Sequence, residues 1–315
     1  MRTTFVKTLT ALATQDERIF LITPDMGFSV LETFQDRFPD RFLNVGIAES
    51  NAVGIAAGLA LSGKIVYVYS IIPFVCMRPF EQVRVDVAYM NTNVRLVGVG
   101  AGLSYGPAGG THHAVEDVAL MRALPNMSVV SPCDPWEVAQ AVSLSVQHQG
   151  PMYIRLARNG EPVVSNPDAA LGFGHLNSLR REPGADVLLL FSGNASDIAL
   201  AVHEGLRREG VVASLISVPF LKPLDSAGLL AEMTDKKLVV TIEEHCQTGG
   251  LASAVAEVLV ATDNRPRFRA YNLGDRYSHV VGNQQFIRER FGFTAESILR
   301  DLSPQLRSPM HEGST

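Results

Sequence analysis

The chain lacks several things, and each shortage narrows what it can be. It has three cysteines in 315 residues, Cys76, Cys133 and Cys246, far apart and in no C-x-x-C pair. Neither a disulfide framework nor a thiolate zinc site is indicated, and the composition is that expected of a reducing cytoplasm. Charge is sparse, at 19% Asp, Glu, Lys and Arg with a formal net charge of -5. Lys and Arg form no run or stripe able to neutralise a phosphate backbone, so no nucleic-acid partner is expected. No apolar run approaches the ~18 residues that would span a bilayer, so no membrane partner is expected either. In the first segment Phe5, Leu9 and Leu12 fall on one helical face, and polar residues interrupt any signal-type apolar stretch, which reads as a retained helix. Internal repeats and low-complexity segments are also missing.

What remains is a chain that is 46% hydrophobic and about twice the usual single-domain length, long enough for two domains that each bury a core. Short β-rich runs alternate with amphipathic stretches. The expected strands of the first half are Ile19–Thr23, Phe42–Val45, Ile65–Tyr69, Val94–Val99, Ser128–Val130 and Met152–Leu156, with helices over Ser50–Leu61, Met77–Asn91, Glu116–Leu124 and Pro135–Gln147. This alternation predicts an α/β fold with right-handed crossovers. A Pro- and Gly-containing stretch reads as linker. A second α/β unit follows, with strands at Asp186–Phe191, Val211–Ser217, Leu238–Ile242 and Phe268–Asn272. The expected organisation is therefore two domains, each a mostly parallel sheet flanked by helices, over residues 1–160 and 185–303. Residues 161–184 would be the linker and 304–315 a mobile tail.

Two stretches carry candidate chemistry. In FLNVGIAESNAVGIAAGLAL a strand ends, Gly46 turns, and Glu49 opens a helix rich in Gly and Ala. Small residues permit close backbone approach, and Glu49 is either a reactive carboxylate or one that simply favours the positive helix end. In GVGAGLSYGPAGGTHHAVED, six glycines from Gly98 to Gly110 follow a strand and lead to His112 and His113, the first histidines in the chain. Loops beyond the carboxyl ends of parallel strands bind ligands, so both histidines are site candidates, although capping or surface roles would suit them equally. The loop matches neither a dinucleotide fingerprint nor a Walker A sequence. Glu243, Glu244 and His245 could mimic metal ligands, but a solvated turn accounts for them and no metal site is assigned.

Taken together, FLNVGIAESNAVGIAAGLAL, SIIPFVCMRPFEQVRVDVAYMN, GGTHHAVEDVALMRALPNMSVVSPCD and TIEEHCQTGGLASAVAEVL resemble the transketolase family of thiamine diphosphate enzymes. The resemblance runs in order from about Arg2 to Phe293 and corresponds to the C-terminal half of a transketolase: a pyrimidine-binding domain followed by the family's C-terminal domain. It implies that Glu49 is the catalytic glutamate, bonding N1′ of the aminopyrimidine and moving a proton there. It further implies that Phe74 stacks on the aminopyrimidine and that His112 contacts substrate hydroxyls and relays protons, with His113 a looser candidate. Arg2, Ser29 and Arg158 fall where the family holds sugar phosphate, which suits the forked guanidinium. Arg155 lies nearby on the same strand but matches less well.

The family grips the diphosphate and Mg²⁺ through a GDG motif with a downstream Asn, and this sequence contains no GDG. The resemblance therefore implies the β-type half of a split enzyme, with a partner subunit holding Mg²⁺ in an α2β2 assembly. Where the family carries Asp in its G-x-D-G-x-T-H loop, this chain has Ala108, and a further family histidine aligns near Gly100. Removing a buried polar partner shifts discrimination by ~1–3 kcal/mol, enough to change substrate preference. The implied activity is transfer of a two-carbon ketol unit from a specialised, phosphorylated ketose to an aldose. The alternatives are a decarboxylating relative, either a 2-oxo-acid dehydrogenase β subunit or a deoxyxylulose-phosphate synthase half, and a non-catalytic interaction subunit.

Overall fold

A computed structural model describes residues 1–263 and 265–307. The strands are β1 (Ile19–Thr23), β2 (Phe42–Asn44), β3 (Ile65–Ile71), β4 (Val94–Val99), β5 (Ser128–Val130), β6 (Met152–Leu156), β7 (Asn177–Arg180), β8 (Val187–Ser192), β9 (Ala213–Ser217), β10 (Phe220–Lys222), β11 (Leu238–Glu243) and β12 (Arg267–Tyr271). They form a seven-stranded sheet in the order β10-β5-β6-β4-β3-β1-β2 and a five-stranded sheet in the order β12-β11-β8-β9-β7. All pairings are parallel except β10 with β5 and β7 with β9. The central strands β3, β4 and β6 are buried along their whole length, as expected of a parallel sheet covered by helices on both faces.

Parallel pairing fixes where the loops emerge. The carboxyl ends of β1, β2, β3, β4 and β6 share one edge of the sheet. That edge therefore receives the segments that follow Thr23, Asn44, Ile71, Val99 and Leu156.

Three departures from the sequence reading have physical causes. The stretch 161–184, read as linker, contains β7 and is tied to the first domain. Asp134 accepts the Val164 and Ser165 amides at 2.8 and 2.7 Å, and buried Asn177 donates to Glu137 at 2.8 Å. The segment expected as one helix over Met77–Asn91 instead has a short α turn at Phe80–Gln82 followed by π-helical geometry over Val83–Tyr89. The chain does not loosen at Pro304, because the helix Ala295–Arg307 runs through it, anchored by buried Ile298 and Leu302. Residues 308–315, the rest of the expected tail, lie outside the described residues.

The two halves also share their interior. One apolar cluster joins first-domain residues such as Val129 and Val138 to Val218, Phe220 and Leu229 of the second half. A second gathers Leu103, Val115 and Cys133 with Leu189, Ile242 and Ile287. Phe220 opens β10, opposite Val130, and its ring lies 5.0 Å from that of Phe173. Phe220→Ala is therefore expected to cost about 3–5 kcal/mol and to weaken the first sheet although the residue belongs to the second half. Urea unfolding checks this, and a loss below about 1 kcal/mol would contradict the shared core.

Candidate active site

A cavity of about 420 Å³ opens at the carboxyl edge of the large sheet. Its lining brings together Arg2 from the start of the first helix, Met26–Phe28 after β1, Ser70 and Ile71 of β3, Tyr105, Pro107, Ala108 and His112 from the glycine loop after β4, and Arg158 after β6. No Asp or Glu lines it, while two guanidiniums do. The forked donors of arginine in such a setting suit an anionic oxygen group.

His112 is held on its faces and at one nitrogen. Its ring meets Phe74 edge-on at 5.1 Å and Tyr105 at 5.8 Å, and Nδ1 lies 2.9 Å from the Thr111 hydroxyl. The Arg158 guanidinium lies 4.3 Å over the Tyr105 ring. On the far side of Phe74, Arg78 covers the ring at 4.0 Å and donates to Glu49 Oε1 and Oε2 at 3.1 and 3.2 Å. Glu49 begins the helix Glu49–Leu61 and is only 6% exposed. A carboxylate, guanidinium, phenyl ring and imidazole thus stand in sequence beside the cavity. Arg78, missed in the sequence reading, links Glu49 to Phe74. Its signal was its place four residues after Phe74, one helical turn on.

Of the predicted residues, Arg2, His112 and Arg158 line the cavity, Glu49 and Phe74 stand behind His112 in the contact series, and Ser29 and His113 join neither. Ser29 is exposed, with a backbone φ of +59°, and its amide donates to Glu32 Oε1 at 2.7 Å. Its neighbour Phe28, 85% exposed, reaches the lining instead. His113 turns behind the loop, buried, with Nε2 donating to the Gly106 carbonyl at 3.3 Å. Nor does Arg155 face the cavity. It is buried against Asp117 at 2.8 Å and donates to the Ala114 carbonyl at 2.9 Å. Ser70, fully buried in the cavity wall, has a hydroxyl with no hydrogen-bond partner among the described residues, a feature invisible in sequence.

The Glu243-Glu244-His245 cluster is not a solvated turn, because all three side chains are buried. Glu243 accepts the Leu251 and Ala252 amides at 2.7 and 2.8 Å, capping the helix that follows. His245 accepts the Ala119 amide at 3.4 Å.

The donor set fits one end of thiamine diphosphate. A buried carboxylate beside an aromatic ring suits an aminopyrimidine, but among the described residues no group of three or more His, Cys, Asp or Glu could hold a metal ion. No helix among them is long and apolar enough to cross a membrane.

Comparison with known proteins covers both halves of the chain. The profile for "Transketolase, pyrimidine binding domain" matches residues 1–161 and that for "Transketolase, C-terminal domain" matches residues 176–298. The two matched domains define the chain's class, and it belongs to the transketolase family, which is thiamine diphosphate-dependent. A subunit of the apulose-4-phosphate transketolase of Phocaeicola vulgatus is 36% identical over 301 residues, 95% of each chain. The 6-deoxy-6-sulfo-D-fructose transketolase subunit SqwH of Clostridium sp. (strain MSTE9) is 36% identical over 95% of this chain and 92% of its own. A solved structure described as "Split gene transketolase, inactive beta4 tetramer" superposes with a TM-score of 0.87 at 34% identity, covering 97% of both chains.

Burial pushes the His113 imidazole below its ordinary pKa, and burial together with Arg95 does the same for His148. Such groups stabilise the fold fully above the unfolded-state value, about 6.5, and the contribution is lost as pH falls through the lower folded value. Stability should therefore decline on acidification below that point, and less steeply in His113→Gln. Urea midpoints measured at several pH values check the sign, and equal slopes in the two proteins would refute the assignment to His113.

Proposed function

We propose that this chain is the pyrimidine-binding subunit of a split, thiamine diphosphate-dependent transketolase that moves a two-carbon ketol unit from a specialised, phosphorylated ketose to an aldose. The observation that carries this is the convergence of Arg2, His112 and Arg158 on a cavity lined by no carboxylate, beside buried Glu49. The relatives with 36% identity are named as subunits of transketolases for unusual sugars, which supports the specialised substrate.

When bound, thiamine diphosphate supplies the electron sink for cleaving a bond next to a carbonyl. Glu49 would hold and move a proton at N1′ of the aminopyrimidine, and Phe74 would pack against that ring. The two bonds from Arg78, one to each oxygen, leave the carboxylate further lone pairs for such a contact. His112 would bind substrate hydroxyls and move protons there, and Arg2 and Arg158 would anchor the phosphate. Ala108 leaves the cavity wall without the carboxylate that the family resemblance leads one to expect, giving room for a differently configured sugar.

The diphosphate and Mg²⁺ would be held by a partner subunit carrying the GDG motif, since this sequence has none. The helix Glu49–Leu61 supports such docking, because from Ala52 onward it carries no polar side chain on any side yet leaves Gly54, Gly58 and Leu61 exposed. A helix apolar all round is normally buried. Ile47 is 78% and Tyr89 79% exposed on nearby segments, extending the apolar surface.

The test is to co-purify the tagged chain in thiamine diphosphate and Mg²⁺, weigh the assembly and assay ketol transfer. A GDG-bearing companion in a two-plus-two complex that transfers two-carbon units from a phosphorylated ketose is expected. Release of CO₂ from pyruvate would instead identify a decarboxylating relative, and a chain that returns alone without binding cofactor would favour an interaction subunit.

In the assembled enzyme, Glu49→Gln should lower turnover about 10²- to 10⁴-fold while native mass stays the same; retained activity would remove Glu49 from the mechanism. Ala108→Asp should shift kcat/KM between the native donor and an ordinary pentulose phosphate by about 5- to 150-fold in favour of the latter. An unchanged ratio would show that position 108 does not set specificity.

A further inference from the structure

Glu244 comes from the second domain and lies outside the cavity, yet it holds the cavity's wall. Its side chain has no exposed surface. It accepts the Leu103 amide at 2.6 Å, Asn194 Nδ2 at 2.8 Å and Gln284 Nε2 at 2.9 Å, and it is paired with Arg288. Arg288 is anchored in turn by Asp197 and the Asn194 carbonyl, each at 2.7 Å.

Leu103 belongs to the glycine loop that carries Tyr105 and His112. That loop is pressed onto the second domain so closely that a Cβ at Gly102 would fall 2.3 Å from Glu244 Oε1, and one at Gly106 would fall 2.3 Å from the Gly282 carbonyl.

Gln284 extends the linkage to the opposite wall. A carboxylate offers only acceptors, so Gln284 must turn its NH₂ toward Glu244, which leaves its carbonyl facing away. That carbonyl accepts from Asn159 Nδ2 at 2.7 Å, and Asn159 follows Arg158. The direction of every bond in this relay is thereby set. One carboxylate and one amide of the second domain tie the His112 loop to the segment bearing Arg158.

We propose that Glu244 and Gln284 are positioning residues that set the spacing between Arg158 and the His112 loop, and so fix where the cavity receives the anionic end of its substrate. This rests on the reading of Arg158 as a phosphate-binding group. Asn159 is exposed and Gln284 partly so, hence the bond between them adds little to folding and can be cut without unfolding the chain.

The test titrates the full-length chain with inorganic phosphate, following binding by calorimetry, and measures melting temperature in parallel. Arg158→Ala is expected to abolish phosphate binding. Asn159→Ala and Gln284→Ala should each weaken it about 3- to 10-fold, Asn159→Ala at unchanged melting temperature because it leaves Glu244 its donors, and the double variant should lose no more affinity than either alone, because both cut the same linkage. A merely structural role would move the melting temperature and leave phosphate affinity alone. If Arg158→Ala loses binding while the two amide variants bind as wild type, or if their losses add, the positioning role is overturned and the phosphate reading stands. If Arg158→Ala binds phosphate normally, both fall together.

Discussion

A carboxylate taken out of water is tolerated only where donors replace its hydration, and Glu244 finds those donors on both sides of a domain boundary. Its partners are an amide of the first domain's glycine loop and the side chains of Asn194, Gln284 and Arg288 from the second. Moving one domain relative to the other would strip this buried charge. Arg155 makes the same demand in reverse: a first-domain guanidinium bonded to Asp117 and also to Asn194 and the Glu244 carbonyl. The shared apolar clusters and the addition of β10 to the edge of the large sheet follow the same seam. The second domain is therefore structural support for the first domain's site, a role that family resemblance left unassigned.

The site itself follows from strand direction. Parallel strands deliver their following loops to one edge, so His112 after β4 and Arg158 after β6 line one cavity, which the start of the first helix completes with Arg2. Glu49, Arg78, Phe74 and His112 then form a continuous contact series alongside it. In this arrangement Arg78 partners the carboxylate. The environment of Glu49 is thus set by a half-exposed guanidinium that also covers the Phe74 ring.

Much of the fold was legible because it rests on local periodicity. Apolar-rich runs such as Val94–Val99 and Met152–Leu156, each broken by a single arginine, are strands with the expected bounds, and the turn before Glu49 announces a helix start. What escaped reading depends on distant partners. Nothing in Phe220–Lys222 says that it will pair antiparallel with β5, and Pro and Gly in 161–184 signal a loop without revealing that Asp134 and Glu137 bind it down. Pro304 reads as a helix stop, yet burial of Ile298 and Leu302 carries the helix past it. Among the candidate site residues, Arg2, His112 and Arg158 meet at the cavity, whereas Ser29 and His113 are diverted by local geometry: a left-handed backbone in one case and a buried ring in the other.

The amino-acid sequence by itself determined the α/β alternation, the carboxylate at a strand–turn–helix junction, the histidine-bearing glycine loop and the lack of a GDG motif, since these are properties of residue type and near spacing. Only the tertiary structure decided that Arg78 clamps Glu49, that Arg155 is a buried strut and that Glu244 and Gln284 brace the cavity from the second domain. Those outcomes depend on which donors and acceptors remain unsatisfied once both domains have buried their apolar surface, and that is settled by packing across the whole chain.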